Sequence, residues 1–205
     1  MKRSDRRNFL RNATGLVAAG IIGNTIVSKA GITGIQDENP ELITRTLGRT
    51  GLKIPVVSMG VMNSNNPNLI KVGWKLGIRH FDTAWIYQNG NNEKMVGSTL
   101  RELNVDRKDV IITTKIVIDE NLWQKDAGEL RKQQLLARFA QSLERLQMDY
   151  VDILMFHAAA TPEQVMDPYI IEGLKELKAQ GKIRFPAFSS HVYWPELLNA
   201  AAEQG

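Results

Sequence analysis

The chain has 205 residues, 43% of them hydrophobic and 23% charged, a balance that supplies a globular domain with a core and sets disorder aside. It contains no cysteine, which excludes disulfide frameworks, thiolate metal sites and cysteine nucleophiles. The net charge of +4 originates in the first 30 residues, where Lys2, Arg3, Arg6, Arg7, Arg11 and Lys29 face Asp5 alone; the other 20 bases and 21 acids net −1, leaving no basic footprint for nucleic acid.

Ser4-Asp5-Arg6-Arg7-Asn8-Phe9-Leu10-Arg11 sets paired arginines before an aromatic and a leucine, and a weakly apolar stretch over residues 13–27, broken by Gly15, Gly20, Gly23 and Asn24, follows. With Ser28 and Ala30 flanking a cleavage point, expected after Ala30, residues 1–30 resemble a twin-arginine signal peptide. The apolar run falls short of the roughly 20 residues of a spanning helix, so no stable membrane span is expected. The resemblance implies a periplasmic protein passed in folded form, often with its cofactor bound, to the twin-arginine translocase. Residues 31–41 read as a linker.

From residue 42 onward short apolar runs alternate with helical patterns, the arrangement of βαβ units around a parallel sheet. The expected strands are residues 56–59, 78–81, 110–113, 151–156 and 183–188, whose continuous apolarity suits burial on both faces. Leu136, Phe139, Leu143 and Leu146 recur at helical spacing, and Ile170, Leu174 and Leu177 repeat the pattern. Asn66-Pro67 and Trp194-Pro195 read as helix starts and Gly181 as a helix stop. An open sheet of five such strands exposes two apolar edges, and an eight-unit barrel needs about 250 residues; further residues are expected beyond Gly205.

The most informative segment follows the second strand: Phe81-Asp82-Thr83-Ala84-Trp85-Ile86-Tyr87-Gln88-Asn89-Gly90-Asn91-Asn92-Glu93, then Gly97. It resembles the signature of the aldo-keto reductase family, in which an aspartate ends the strand, a tyrosine follows five residues later, and a glycine, a glutamate and a glycine-bearing helix come next. Thr114-Lys115 at the third strand end, Ser142-Leu143-Glu144-Arg145-Leu146, Asp149-Tyr150-Val151-Asp152 with His157, Gly181-Lys182-Ile183-Arg184 before Ser189-Ser190, and the opening Leu47-Gly48-Arg49-Thr50-Gly51-Leu52 hairpin continue the resemblance over residues 45–205. It implies a TIM (β/α)8 barrel, of which about five βα units are present, residues 42–205 being a partial barrel. Asp82, Lys115, His157 and Ser189 each stand at the C-terminal end of a different expected strand, the face on which parallel barrels assemble active sites.

The resemblance further implies an oxidoreductase that reduces an aldehyde or ketone to an alcohol. Carbonyl reduction needs a hydride on carbon and a proton within hydrogen-bond reach of the developing alkoxide. Tyr87 is the expected proton donor, and since a phenol with a reference pKa of about 10 donates poorly near neutrality without a neighbouring cation, Lys115 is expected to supply that charge. Asp82 is expected to orient Lys115, and His157 to place the carbonyl and stabilise the oxyanion. NADP, the family default, with NAD left open, brings the hydride; Gly60, Asp82, Ser189 and Ser190 are the expected cofactor-binding residues, and a small carbonyl compound is the expected partner.

Blander readings stand beside these. Asp82 alone reads as a turn cap, Tyr87 as a loop aromatic, Lys115 as a solvated strand end and His157 as a satisfied core histidine; their joint order favours the chemical reading. His80 reads as structural, Met59, Met62, Met95, Met148 and Met155 as core filling, and Glu93 as a first-turn acid favoured by the helix dipole. His157 with His191 makes too few ligands for a metal. Ala187 and Ser190 depart from the family's glycine and amide. Two other readings remain: a truncated, non-catalytic remnant or assembly partner of the same fold, and another chemistry on the same barrel.

Overall fold

A computed structural model describes residues 43–124, 126–192 and 194–203; the expected signal and linker lie outside them. The segment over 43–55 forms the expected hairpin, β1 (Thr44–Thr46) antiparallel to β2 (Lys53–Pro55). There follow β3 (Met59–Gly60), α1 (Pro67–Lys75), β4 (His80–Asp82), α2 (Asn91–Glu102), β5 (Ile111–Ile116), α3 (Gly128–Leu146), β6 (Val151–Phe156), α4 (Pro162–Val165), α5 (Pro168–Ala179), β7 (Ile183–Phe188) and α6 (Trp194–Ala202). Strands β3 to β7 lie side by side in sequence order, every neighbouring pair parallel. The result is a partial (β/α) barrel of five strands.

Local chemistry explains where the helices begin and end. Asn66 caps α1, its Oδ1 accepting from Asn68 N at 3.0 Å, and Pro67 occupies the first turn, where no amide hydrogen is needed. Asp167 does the same for α5, accepting from Ile170 N at 2.9 Å ahead of Pro168. The chain leaves α5 through Gly181 at φ 71°, a left-handed conformation that glycine adopts without steric cost.

Alternate side chains sort onto the two faces of the sheet. Phe81, Ile112, Ile116 and Leu154 pack beneath the helices with Leu135, Phe139, Leu146 and Ile170, all fully buried; each contributes roughly 1.5–3 kcal/mol by leaving water. On the opposite face Ile111 and Ile153 pack with Leu52 of the hairpin, which covers the N-terminal ends of the strands. Asp152 is buried at that end too, its carboxylate accepting from Arg107 at 2.7 Å, Arg184 at 2.8 Å and Ile112 N at 3.0 Å.

The strands expected over 151–156 and 183–188 occur with those bounds. The run over 56–59 does not form one buried strand: Val56 and Val57 are 53% and 52% exposed. Val56 N donates to Ile43 O at 2.8 Å, prolonging the hairpin, and only Met59–Gly60 joins the sheet. Met62, expected in the core, is half exposed in the loop that follows, whereas Met59, Met95, Met148 and Met155 pack against the core. Among the described residues no helix is long and apolar enough to cross a membrane.

Candidate active site

Strand register decides which side chains meet. Asp82 pairs with Thr113 across β4 and β5, and Gly60 pairs with Asp82 across β3 and β4. Lys115 lies two residues farther along β5, opposite Met155, so its long side chain reaches back across the strand ends. The ladder continues past the strands through Thr83 N to Thr113 O and Trp85 N to Lys115 O, each 2.9 Å, and through His157 N to Ile116 O at 2.8 Å. These bonds hold the strand-end residues on rigid backbone.

Lys115 is 6% exposed, and a buried ammonium must be paired and hydrogen-bonded. Its amine donates to Asp82 Oδ1, to Thr83 O at 2.8 Å and to Tyr87 Oη at 3.4 Å. An ammonium has three N–H groups, and each finds an acceptor, one of them the phenol. Asp82 and Thr83 fix the cation, and Tyr87 takes the remaining hydrogen.

Across the site the Tyr87 and His157 rings meet edge to face, centroids 6.0 Å apart. His157 Nδ1 lies 2.7 Å from Ser189 Oγ, which also accepts from Ala158 N at 3.3 Å. Burial first, then the charges of Lys115 and His191, hold the imidazole down to about 4 against the opposing pull of Asp82. It is therefore neutral near pH 7. In the tautomer in which Ser189 donates to Nδ1, the ring carries its hydrogen on Nε2.

Asp82, Tyr87, Lys115, His157 and Ser189 thus come together at one end of the sheet. Gly60 stands beside Asp82 with no atom within 4 Å of where a Cβ would be. Ser190 differs from Ser189: its Oγ lies 2.6 Å from Ala159 O and 2.7 Å from Val192 O and accepts from Val192 N at 3.1 Å, so it braces its own loop. His80 lies in the strand, Nδ1 2.9 Å from Ser58 Oγ and Nε2 2.8 Å from Thr113 Oγ1, a satisfied structural histidine whose pKa burial lowers. Among the described residues no group of three or more His, Asp or Glu side chains is placed to hold a metal ion.

Sequence reasoning overlooked Asn92. It is fully buried, accepts from Thr83 Oγ1 at 2.7 Å and donates to Val61 O at 2.6 Å and Ser64 O at 2.9 Å, tying the loop after β3 to the residue that holds Lys115. A polar residue beside the signature glutamate was the available signal. Glu93 stands in the first turn of α2, as expected, and is completely buried there; burial pushes its pKa up against hydrogen bonds from Thr114 and Arg145.

The arrangement can hold a carbonyl oxygen between a phenol hydrogen and an imidazole hydrogen, with a cation behind the phenol. Residues 62–203 match the Aldo/keto reductase family. The chain is 35% identical to L-galactose dehydrogenase of Arabidopsis thaliana over 153 residues, 69% of this chain and 46% of that protein. It is 35% identical to glyoxal reductase of Bacillus subtilis over 138 residues, 65% of this chain and 45% of that protein. An aldo-keto reductase from Bacillus halodurans, solved in its holo form, superimposes with a TM-score of 0.61 at 29% identity over 73% of this chain and 51% of its own. The chain therefore spans about half the length of these relatives. On the family match and the shared barrel, this chain belongs to the aldo/keto reductase family.

Proposed function

We propose that the site reduces a small aldehyde or ketone to an alcohol, with Tyr87 as the proton donor. The observation that carries this reading is the Lys115 ammonium, saturated by Asp82, Thr83 O and Tyr87 Oη at 3.4 Å. Such a cation stabilises the phenolate left when the proton departs. Asp82 and Thr83 keep the ammonium oriented so that none of this geometry must reorganise during reaction. Neutral His157 donates Nε2–H to the carbonyl oxygen and orients it for Tyr87. Glyoxal reductase among the relatives supports a small carbonyl compound as the substrate class.

Bound nicotinamide nucleotide, NADP by family default, supplies the hydride. The residues present fit its nicotinamide end. When Ser189 Oγ donates to His157 and accepts from Ala158 N, one of its lone pairs is left for a carboxamide N–H, and Gly60 leaves open space beside Asp82. Arg6 and Arg7 before Phe9 and Leu10 support export of the folded protein to the periplasm as part of the same reading.

The test is Tyr87→Phe, assayed by NADPH consumption with glyoxal and, separately, by nucleotide fluorescence. Removing a general acid costs about 10²–10⁴-fold in turnover; that loss is expected with nucleotide affinity retained. Unchanged turnover would overturn the assignment.

A further inference from the structure

The loop between β4 and α2 that carries Tyr87 has an uncommon backbone. Gln88, Asn89 and Gly90 follow one another at φ 49°, 55° and 82°, and each non-glycine residue in this left-handed region costs roughly 1–2 kcal/mol. Such a loop persists only when its surroundings hold it.

One side chain touches both ends of it. Arg145, in the last turn of α3, donates from Nη1 to Trp85 O at 3.0 Å and pairs with Glu93 Oε2 at 3.4 Å. Trp85 precedes Tyr87 and Glu93 follows it. Between these contacts the guanidinium lies against Gly90, where a Cβ would come within 2.3 Å of Cζ and Nη1. The other Glu93 oxygen, Oε1, accepts from Thr114 Oγ1 at 2.6 Å, and Thr114 adjoins Lys115 on β5. An ion pair between the partly exposed Arg145 and the fully buried Glu93 thereby joins the Tyr87 loop to the strand that carries Lys115.

We propose that Arg145 and Glu93 are positioning residues that set the separation between the Tyr87 hydroxyl and the Lys115 ammonium. The proposal rests on the reading of Tyr87 as proton donor. Neither side chain reaches the reacting atoms; both act from behind the site. Both contacts leave the one nitrogen Nη1, and the planar guanidinium that carries it lies flat against Gly90; a lysine ammonium lacks that planar body and so does not hold its nitrogen at the same place between carbonyl and carboxylate. A pair with one fully buried partner is weak evidence for stability, since desolvation offsets the attraction.

The experiment compares Arg145→Lys, Glu93→Gln, Tyr87→Phe and the double variant Arg145→Lys/Tyr87→Phe in the full chain. The measurements are kcat, KM, nucleotide affinity by fluorescence and thermal midpoint. Misplacing a reacting group by about 1 Å costs on the order of 10²-fold; Arg145→Lys is expected to lower kcat by roughly 10- to 100-fold, with KM and nucleotide affinity within about twofold. In the Tyr87→Phe background the same change is expected to have almost no further effect, because the two act as a unit. If Arg145→Lys does not fold, Glu93→Gln carries the same kcat expectation. Wild-type kcat in the folded Arg and Glu variants, alongside an inactive Tyr87→Phe, overturns the positioning role alone. Full activity of Tyr87→Phe overturns the underlying reading instead.

Discussion

Gly97, in the middle of α2, is where the sequence tolerates no side chain. A Cβ built there lies 2.0 Å from Leu146 O, 2.5 Å from Leu146 C and 2.8 Å from its Cα. All three atoms are backbone at the end of α3, so no rotamer change relieves the clash. Reaching ordinary contact at 3.4 Å moves the end of α3 by about 1.4 Å. Overpacking of this kind costs about 1–3 kcal/mol, and the upper end applies because two helices must part; alanine returns about 1 kcal/mol of helix propensity. The net expectation for Gly97→Ala is a loss of about 2 kcal/mol, a fall in Tm of roughly 4–8 °C for a domain of this size. Differential scanning calorimetry with Ser98→Ala as control, expected within about 0.5 kcal/mol of wild type, makes the measurement. Because Arg145 precedes Leu146, the displacement also draws the guanidinium away from Trp85 O, and turnover is expected to fall with stability. A Gly97→Ala protein as stable as wild type would refute the close helix approach.

Acid stability offers a further check, because the folded pKa of His157, about 4, lies below its ordinary 6.5. The native state then binds fewer protons than the unfolded chain within that window, and stability present above pH 6.5 is lost as pH falls through about 4. Solvent screening of the half-buried ring holds the loss to on the order of 1–2 kcal/mol. Urea titrations at pH 7 and pH 4 are expected to show wild type losing that much more than His157→Asn; equal losses would contradict it. Asp152→Ala should cost about 3 kcal/mol by the same titration, because it removes the shared acceptor of Arg107, Arg184 and the buried Ile112 N–H. A cost under about 1 kcal/mol would show that water replaces the carboxylate.

Much of the fold is legible in the sequence because its signals are short-range. Largely apolar runs, broken only by Asp152 and Arg184, give β6 and β7 with their observed bounds, and Asn66-Pro67 and Gly181 mark helix ends through chemistry confined to a few residues. The order of Asp82, Lys115, His157 and Ser189 along the chain places them at successive strand ends once the strands are parallel, since parallel strands share one C-terminal face. Their contacts are another matter. Lys115 meets Tyr87 across 28 positions of sequence and Arg145 meets Trp85 across 60, separations over which no periodicity carries information. Burial of Glu93, the neutral His157, the occupied hydroxyl of Ser190, the exposed Val56 and Val57, and the helix contact that requires Gly97 all depend on which neighbour arrives from elsewhere in the chain. The sequence by itself determines the parallel sheet and the face on which chemistry-bearing residues gather. Tertiary structure alone decides which acceptors surround the ammonium and which groups lose their water, because desolvation and hydrogen-bond geometry are set by packing between distant segments.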